Sequence, residues 1–447
     1  MKAQSMTGGR PFGLLVRFAV PLMLGDVIQQ MYVIADSMVV GRLIGVNAFA
    51  AVSASGALYW LIQAVIFGFS QGFGTLMAQR FGAGNYPGLR HSCALSLRLT
   101  LVIGLVLTGL YLVLAKPLLT VMNTPPEILE DAALYLGILS GGITAVFINS
   151  VIFSAFRAMG NSKIPLYVFI ASSVINIMLD IVLVLYTPMG VAAVAAATTG
   201  VQFLSAGFNV WYLVKYAGMH FTRGDFASDA PLAGELLRLG VPLGARNCVA
   251  AAGGIVIQYV INGYGTVFIA GIAAAKKLYS VLFIIGSGME GAAAAFVAQN
   301  YGAGRFDRIT DGVRSARRIM FAGLVVIVPL MFLFGRRILG LLVSGEDAQL
   351  DAVMDTAVNQ LGVCLVLLPF LYMLLLYRSG LQGMGNSFMP MVSGILEATL
   401  RTAAALVLPF FFGAWGVFLS EPIGWPVMAV QLYVVYVSVL RKKEKRT

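Results

Sequence analysis

The chain has 447 residues, of which 59% are hydrophobic and only 11% charged, and its mean hydropathy is +0.88. That is far more apolar than a typical soluble domain, and the apolar runs recur along the whole length, which predicts a polytopic α-helical membrane protein. The net charge of +11 would suit nucleic acid, but the positive charges are placed as membrane topology places them, so no nucleic-acid partner is expected. Cys93, Cys248 and Cys364 are widely spaced and lack metal or redox spacing. His91 and His220 read as loop residues far from any second ligand. An enzyme is therefore not expected, nor a cofactor.

The first apolar stretch, from Phe18 to Gly45, is long enough to cross a bilayer as a helix. The residues before it form no cleavable leader pattern. The ~20-residue criterion gives twelve spans, near 15–44, 48–78, 93–115, 132–156, 165–187, 190–214, 240–263, 266–298, 318–343, 355–382, 388–412 and 415–440.

Lysine and arginine set the orientation. The N-terminus and every second loop hold Lys2, Arg10, Arg17, Arg80, Arg90, Arg98, Arg157, Lys163, Lys215, Arg223, Arg238, Arg305, Arg308, Arg314, Arg317, Arg318 and Arg378. The tail adds Arg441, Lys442, Lys443, Lys445 and Arg446. The opposite side keeps Arg42, Lys116, Arg336 and Arg337, with the acidic clusters Glu127, Glu130, Asp131 and Glu346, Asp347, Asp351, Asp355. Both termini are expected on the cytoplasmic side of a plasma (inner) membrane.

The chain repeats itself. AQRFGAG at 78–84 returns as AQNYGAG at 298–304, MGNSKIP at 159–165 as MGNSFMP at 384–390, and VPL at 20–22 as VPL at 241–243. Offsets of about 220–225 residues relate the three pairs. The expected architecture is all-α, with twelve transmembrane helices in two pseudo-symmetric six-helix lobes: 1–218, a cytoplasmic linker 219–235, and 236–447. Six spans per half make the halves parallel repeats, an arrangement typical of transporters. A monomer is expected.

Chemistry enters with the ionisable residues. Asp36 shares a helix face with Tyr32 and Gln29, and a carboxylate inside a membrane helix faces a wet cavity or a partner. Asn176 and Asp180 are four apart on the fifth span. Asp36 lies about nine residues before the turn near Gly45, Asp180 about eight before Pro188, and Thr198 about ten beyond it, so at 1.5 Å per residue they share a depth. Oxygen ligands suit Na⁺, which would sit at Asp36 and Asp180. A carboxylate pair also holds a proton, because two like charges in one place disfavour double ionisation.

Together these motifs resemble the multidrug and toxic compound extrusion (MATE) family. The resemblance rests on Pro21, Asp26, Met31-Tyr32 and Asp36 followed by Gly41 and Gly45, on the AQ-x2-GAG ends of spans 2 and 8, and on RAMGNSKIP and LQGMGNSFMP. It covers essentially the whole chain. It implies a V-shaped pair of lobes and export of organic cations or amphiphilic drugs against inward H⁺ or Na⁺. It also implies a coupling site of Asp36, Asn176, Asp180 and Thr198, with Asn149 as a further member nearer the cytoplasm. Asp26 either lines the cytoplasmic part of the cavity or neutralises a lobe cation. Candidates for the substrate cavity are Gln29, Met31, Tyr32, Asp26, Tyr259 and Glu290, in contact with drug and membrane lipid.

The second half has buried charge of both signs: Arg246, Lys276, Lys277, Glu290, Glu397 and Arg401. Glu397 and Arg401 are four apart and expected to pair with each other. By the repeat offset Arg401 stands where Asn176 stands and Ala405 where Asp180 stands, so the second half has no copy of the acid site. The alternative reading is a flippase for a lipid-linked saccharide, an anionic substrate for which Arg246, Lys276, Lys277 and Arg401 would serve.

Overall fold

The computed structural model describes residues 5–122, 124–215, 218–340 and 347–444. Lys2, Glu346, Lys445 and Arg446, and the side chains of Asp347 and Lys443, which entered the charge comparison above, lie outside them. Every regular element among the described residues is a helix. In chain order these are α1 (Pro11–Val39), a π-helical turn (Val40–Ile44), α2 (Val46–Gly82), α3 (Tyr86–Val121), α4 (Pro126–Gly141), α5 (Ile143–Ala158), α6 (Lys163–Tyr186) and α7 (Val191–Lys215). A 3₁₀ turn (Arg223–Phe226) precedes α8 (Ala230–Asn262), α9 (Thr266–Gly302), α10 (Phe306–Gly340), α11 (Asp347–Gly383), α12 (Phe388–Phe412), α13 (Ala414–Ser420) and α14 (Gly424–Glu444).

Eleven helices are long and apolar enough to cross a membrane, and α4 with α5 makes a twelfth span bent by 47°. The span expected at 132–156 is this broken one. The break falls at Gly141-Gly142, where a glycine pair gives up helical continuity. A side chain on Gly142 would also come within 3.2 Å of Thr199 on α7. His91 is corrected: it lies in α3, not in a loop.

The chain packs as two compact units, one of Leu24–Gly244 and one of Met6–Met23 with Ala245–Thr447. The GAG and MGN motifs are helix ends, while the VPL pair lies inside α1 and α8. At the end of α2, Asn85 N–H returns to Arg80 O (3.0 Å) with Gly84 at φ 70°, and at the end of α9, Arg305 N–H returns to Asn300 O (2.8 Å) with Gly304 at φ 69°. The MGN motifs repeat the device at Asn161 and Asn386, after Gly160 and Gly385. These six-to-one closures require a left-handed residue, which glycine adopts without penalty.

In the first unit α2 and α8 meet glycine to glycine. A side chain on Gly72 would come within 2.5 Å of the Gly240 backbone, and one on Gly68 would strike Gly244. Both pairs are spaced by four, the small-xxx-small pattern that lets membrane helices approach closely. The second unit repeats the contact between α9 and the first turns of α1, where Gly288 faces Met23 and Ala19. There the N-terminal segment is held by the AQN motif: Met6 N–H donates to Gln299 Oε1 (2.7 Å), and Met6 O accepts from Asn300 Nδ2 (3.2 Å) and Arg308 Nη2 (3.1 Å).

In the first unit the linker is pinned to α3. Asp225 Oδ2 accepts from Thr222 N (2.7 Å) and Oγ1 (2.8 Å), and His91 bonds Asp225 O (2.9 Å) and Asp229 Oδ2 (3.2 Å). The Thr222 N–H, then its hydroxyl and the nearby Arg90, hold the Asp225 carboxyl below its usual range. That contribution is present at neutral pH and is lost as pH falls through the lowered value.

Because the α2–α8 contact has no room for a side chain, Gly72→Val should lower the thermal unfolding midpoint in detergent by several degrees. Overpacking of this kind costs about 1–3 kcal/mol. Gly207→Ala, a site open to 4 Å, should leave the midpoint unchanged.

Candidate functional site

The polar centre of the first unit lies where α1, α6 and α7 meet. α1 reaches it through Tyr32 and Asp36, one turn apart, just before the π-helical turn. Such turns recur at functional sites. α6 contributes Asn176 and Asp180, also one turn apart, and α7 contributes Thr198. Asp180 is fully buried and Asn176 nearly so, while Asp36 and Thr198 are half-buried.

The carboxyls of Asp36 and Asp180 lie within hydrogen-bond reach of each other. Asn176 meets all its neighbours in one amide orientation. Its Nδ2 donates to Tyr32 OH (2.7 Å) and Asp180 Oδ2 (3.1 Å), and its Oδ1 accepts from Thr198 N (3.1 Å). The Thr198 hydroxyl bonds the Tyr32 phenol. One oxygen of each carboxyl, Asp36 Oδ1 and Asp180 Oδ1, is buried with no hydrogen-bond partner among the described residues. A carboxyl–carboxyl contact needs a shared proton or a bridging cation. The donor set fits either: two carboxyl groups and two hydroxyls offer oxygen only. The amide turns its nitrogen toward Asp180, which supports the acid pair without adding a cation ligand.

Three further polar residues frame the pair. Tyr135 of α4 lies close enough to act on both carboxyls, and Tyr59 of α2, bonded to Gln63, acts on the phenols of Tyr32 and Tyr135. Sequence reasoning missed them. Tyr135 lies about nine residues into α4, the same depth that singled out Asp36 and Thr198, and that signal would have found it. Beyond this layer an apolar cluster of Val40, Ala48, Leu139, Val191, Val194 and Ala195 shields the pair from the side of the Gly45 turn.

The remaining candidates do not join the acid pair. Asn149 belongs to a separate amide network: its Nδ2 donates to Gln202 O and Oε1 (both 3.0 Å), and its Oδ1 accepts from Asn209 Nδ2 (2.9 Å). Asp26 is half-buried and acts on Arg157. Gln29 and Met31 are exposed, and Tyr259 is 77% exposed. Glu290 is half-buried near Arg246. Lys276 and Lys277 are exposed.

One expectation is corrected in the second unit. Glu397 and Arg401 do not pair with each other. Glu397 Oε2 takes Arg378 Nη2 (3.1 Å) and Arg401 Nη2 takes Glu421 (2.6 Å). A same-helix pair at this spacing gives only about 0.2–0.5 kcal/mol on a water-exposed helix. Partners from neighbouring helices satisfy both charges where burial makes an unpaired one costly.

These features define a polytopic helical membrane protein built from a duplicated six-span unit, with an ionisable pair set inside one unit. The chain belongs to the MatE family, whose model matches residues 21–182 and again 242–407. It is 28% identical over 352 residues to the probable multidrug resistance protein YpnP of Bacillus subtilis, covering 78% of each chain. It is 28% identical over 413 residues to the probable multidrug resistance protein YoeA of the same organism, covering 90% of this chain and 84% of the relative. To the probable multidrug resistance protein NorM of Thermotoga maritima it is 25% identical over 412 residues, covering 90% and 87%. The fold matches a solved outward-facing multidrug resistance MATE transporter with TM-score 0.89 at 22% identity, covering 99% of each chain. It matches a Pyrococcus furiosus transporter, described as having a binding pocket of reversed polarity, with TM-score 0.90 at 21% identity and 99% coverage of each.

The two amide groups should separate on mutation. Asn149→Leu removes the bonds to Gln202 and Asn209 and should cost about 1 kcal/mol of stability, read as a lower unfolding midpoint, with the ion dependence of transport unchanged. Asn176→Leu, which strands Tyr32 and Asp180, should change that ion dependence.

Proposed function

We propose that this protein is a secondary active exporter of lipophilic organic cations, coupled to proton entry at the Asp36–Asp180 pair. The observation that carries the reading is the contact of two carboxyl groups on apolar helices long enough to cross a membrane, each with a buried oxygen that meets no donor among the described residues. A proton shared across the carboxyl contact needs no further ligands. Na⁺ is the other candidate, and the same oxygen set would hold it.

The mechanism follows from the linkage of α1 to α6. With the pair deprotonated, two negative charges draw a cation toward α1, whose exposed Gln29 and Met31 and bonded Tyr32 lie one to two turns from Asp36. A proton arriving from outside neutralises one charge. The cation loses its electrostatic hold, and the Tyr32–Asn176 bond carries the change along α1. Loss of the proton to the cytoplasm resets the pair. A ligand moves a conformational equilibrium only by its differential affinity for the two states, and the charge of the pair supplies that difference. The excess of Lys and Arg on one side supports a cytoplasmic placement of both termini.

The test is uptake of a fluorescent lipophilic cation by proteoliposomes under an imposed proton or sodium gradient. Wild type should respond to the proton gradient, and Asp36→Asn and Asp180→Asn should each lose the response by at least about tenfold, the equivalent of 1.4 kcal/mol. Coupled transport surviving in Asp36→Asn would sink the reading. A response to sodium alone would replace the proton with Na⁺ at the same residues.

A further inference from the structure

Three arginines stand in the membrane-spanning helices of the second unit, Arg246 buried and Arg378 and Arg401 half-buried, each with one buried N–H that meets no acceptor among the described residues. Arg401 of α12 is met by Glu421 and Arg378 of α11 by Glu397. Arg246 of α8 is 7% exposed, yet no carboxylate bonds it. Its Nε (3.1 Å) and Nη2 (2.9 Å) share a single neutral acceptor, Asn247 Oδ1. Its Nη1 is buried with no partner among the described residues, and so is Nε of Arg378. Arg378, Glu290 and Glu397 are the charged groups close enough to act on Arg246. Glu397 is committed to Arg378, and Glu290 bonds neither guanidinium.

Two neighbouring guanidiniums therefore leave two buried N–H groups without an acceptor, and desolvated cations are costly unless oxygen anions meet them. The place is built to hold the arginine. A side chain on Gly394 of α12 would overlap the stem of Arg246, and one on Gly424 would reach 3.2 Å from Glu397 Cγ. What the pair lacks is a multidentate oxyanion, the partner that guanidinium forks bind best.

We propose that Arg246 and Arg378 form an oxyanion site in the second unit that takes a phosphate group. The proposal stands apart from the cation-export reading, since it is read by binding rather than by transport. The phosphate comes either from a phospholipid headgroup or from the free ion. Glu290 competes with it for Arg246.

Thermal unfolding of the purified full chain tests this with two probes: inorganic phosphate in neutral detergent, and phosphatidylglycerol against a phosphate-free glycolipid in nanodiscs. Saturable stabilisation by either probe is expected in wild type. Arg246→Gln should weaken it by about tenfold or more, and Glu290→Gln should strengthen it. Gly394→Ala, which displaces the arginine but keeps its charge, should weaken it as well, so a folding defect of one variant does not decide the matter. Lys276→Gln, an exposed cation, should change nothing. Stabilisation by phosphate identifies the free ion, and stabilisation by phosphatidylglycerol alone identifies the headgroup. No saturable response to either probe, or an equal response in Arg246→Gln, overturns the site.

Discussion

A charge placed inside a bilayer must be met where it stands, because no water is there to meet it. The two units meet theirs in different ways. In the first, Asp36 and Asp180 lie against each other with a buried oxygen apiece that meets no donor among the described residues. In the second, the residue standing where Asn176 stands is Arg401, and Glu421 meets it at 2.6 Å. That cation is tethered. The charged Arg401 thus stands where the first half has the neutral Asn176, and Ala405 where it has Asp180.

Close helix approach gives these charges their settings. The α2–α8 contact works through Gly68, Gly72, Gly240 and Gly244, and Gly394 lets the Arg246 stem lie along α12. In membranes, packing of small residues replaces the hydrophobic drive that joins helices in water. The same economy of side chains appears at helix ends, where Gly84, Gly160, Gly304 and Gly385 turn the chain with backbone bonds alone. Polar motifs are then reserved for places with a polar task, such as Gln299, Asn300 and Arg308 around Met6.

What could be read without coordinates was what repeats or what violates the solvent. The GAG and MGN pairs announced a duplication because helix ends constrain residue type strongly, and the VPL pair added a matching offset. Asp36, Asn176, Asp180 and Thr198 stood out because polar groups at one depth in apolar spans have few other reasons to be there. Tyr59 and Tyr135 escaped notice because a tyrosine is ordinary in a membrane helix, and depth was counted only for residues already suspected. The pairing of Glu397 with Arg401 was misjudged because spacing along one helix says nothing of Arg378 and Glu421 on its neighbours. Asn149 entered through the family resemblance, and its partners Gln202 and Asn209 hold it in a separate amide network. The bend at Gly142 was hidden because an apolar run looks the same straight or broken.

The carboxyl pair also has an electrical consequence. Two carboxyls in contact can share a single proton. If that single proton is exchanged for one monovalent cation, as proposed, each turnover moves equal charge in both directions. The work available is then set by the pH difference alone, and the membrane voltage, worth about 2.3 kcal/mol per elementary charge at 100 mV, drops out. Such a carrier would be indifferent to depolarisation and would stall when the two sides reach the same pH.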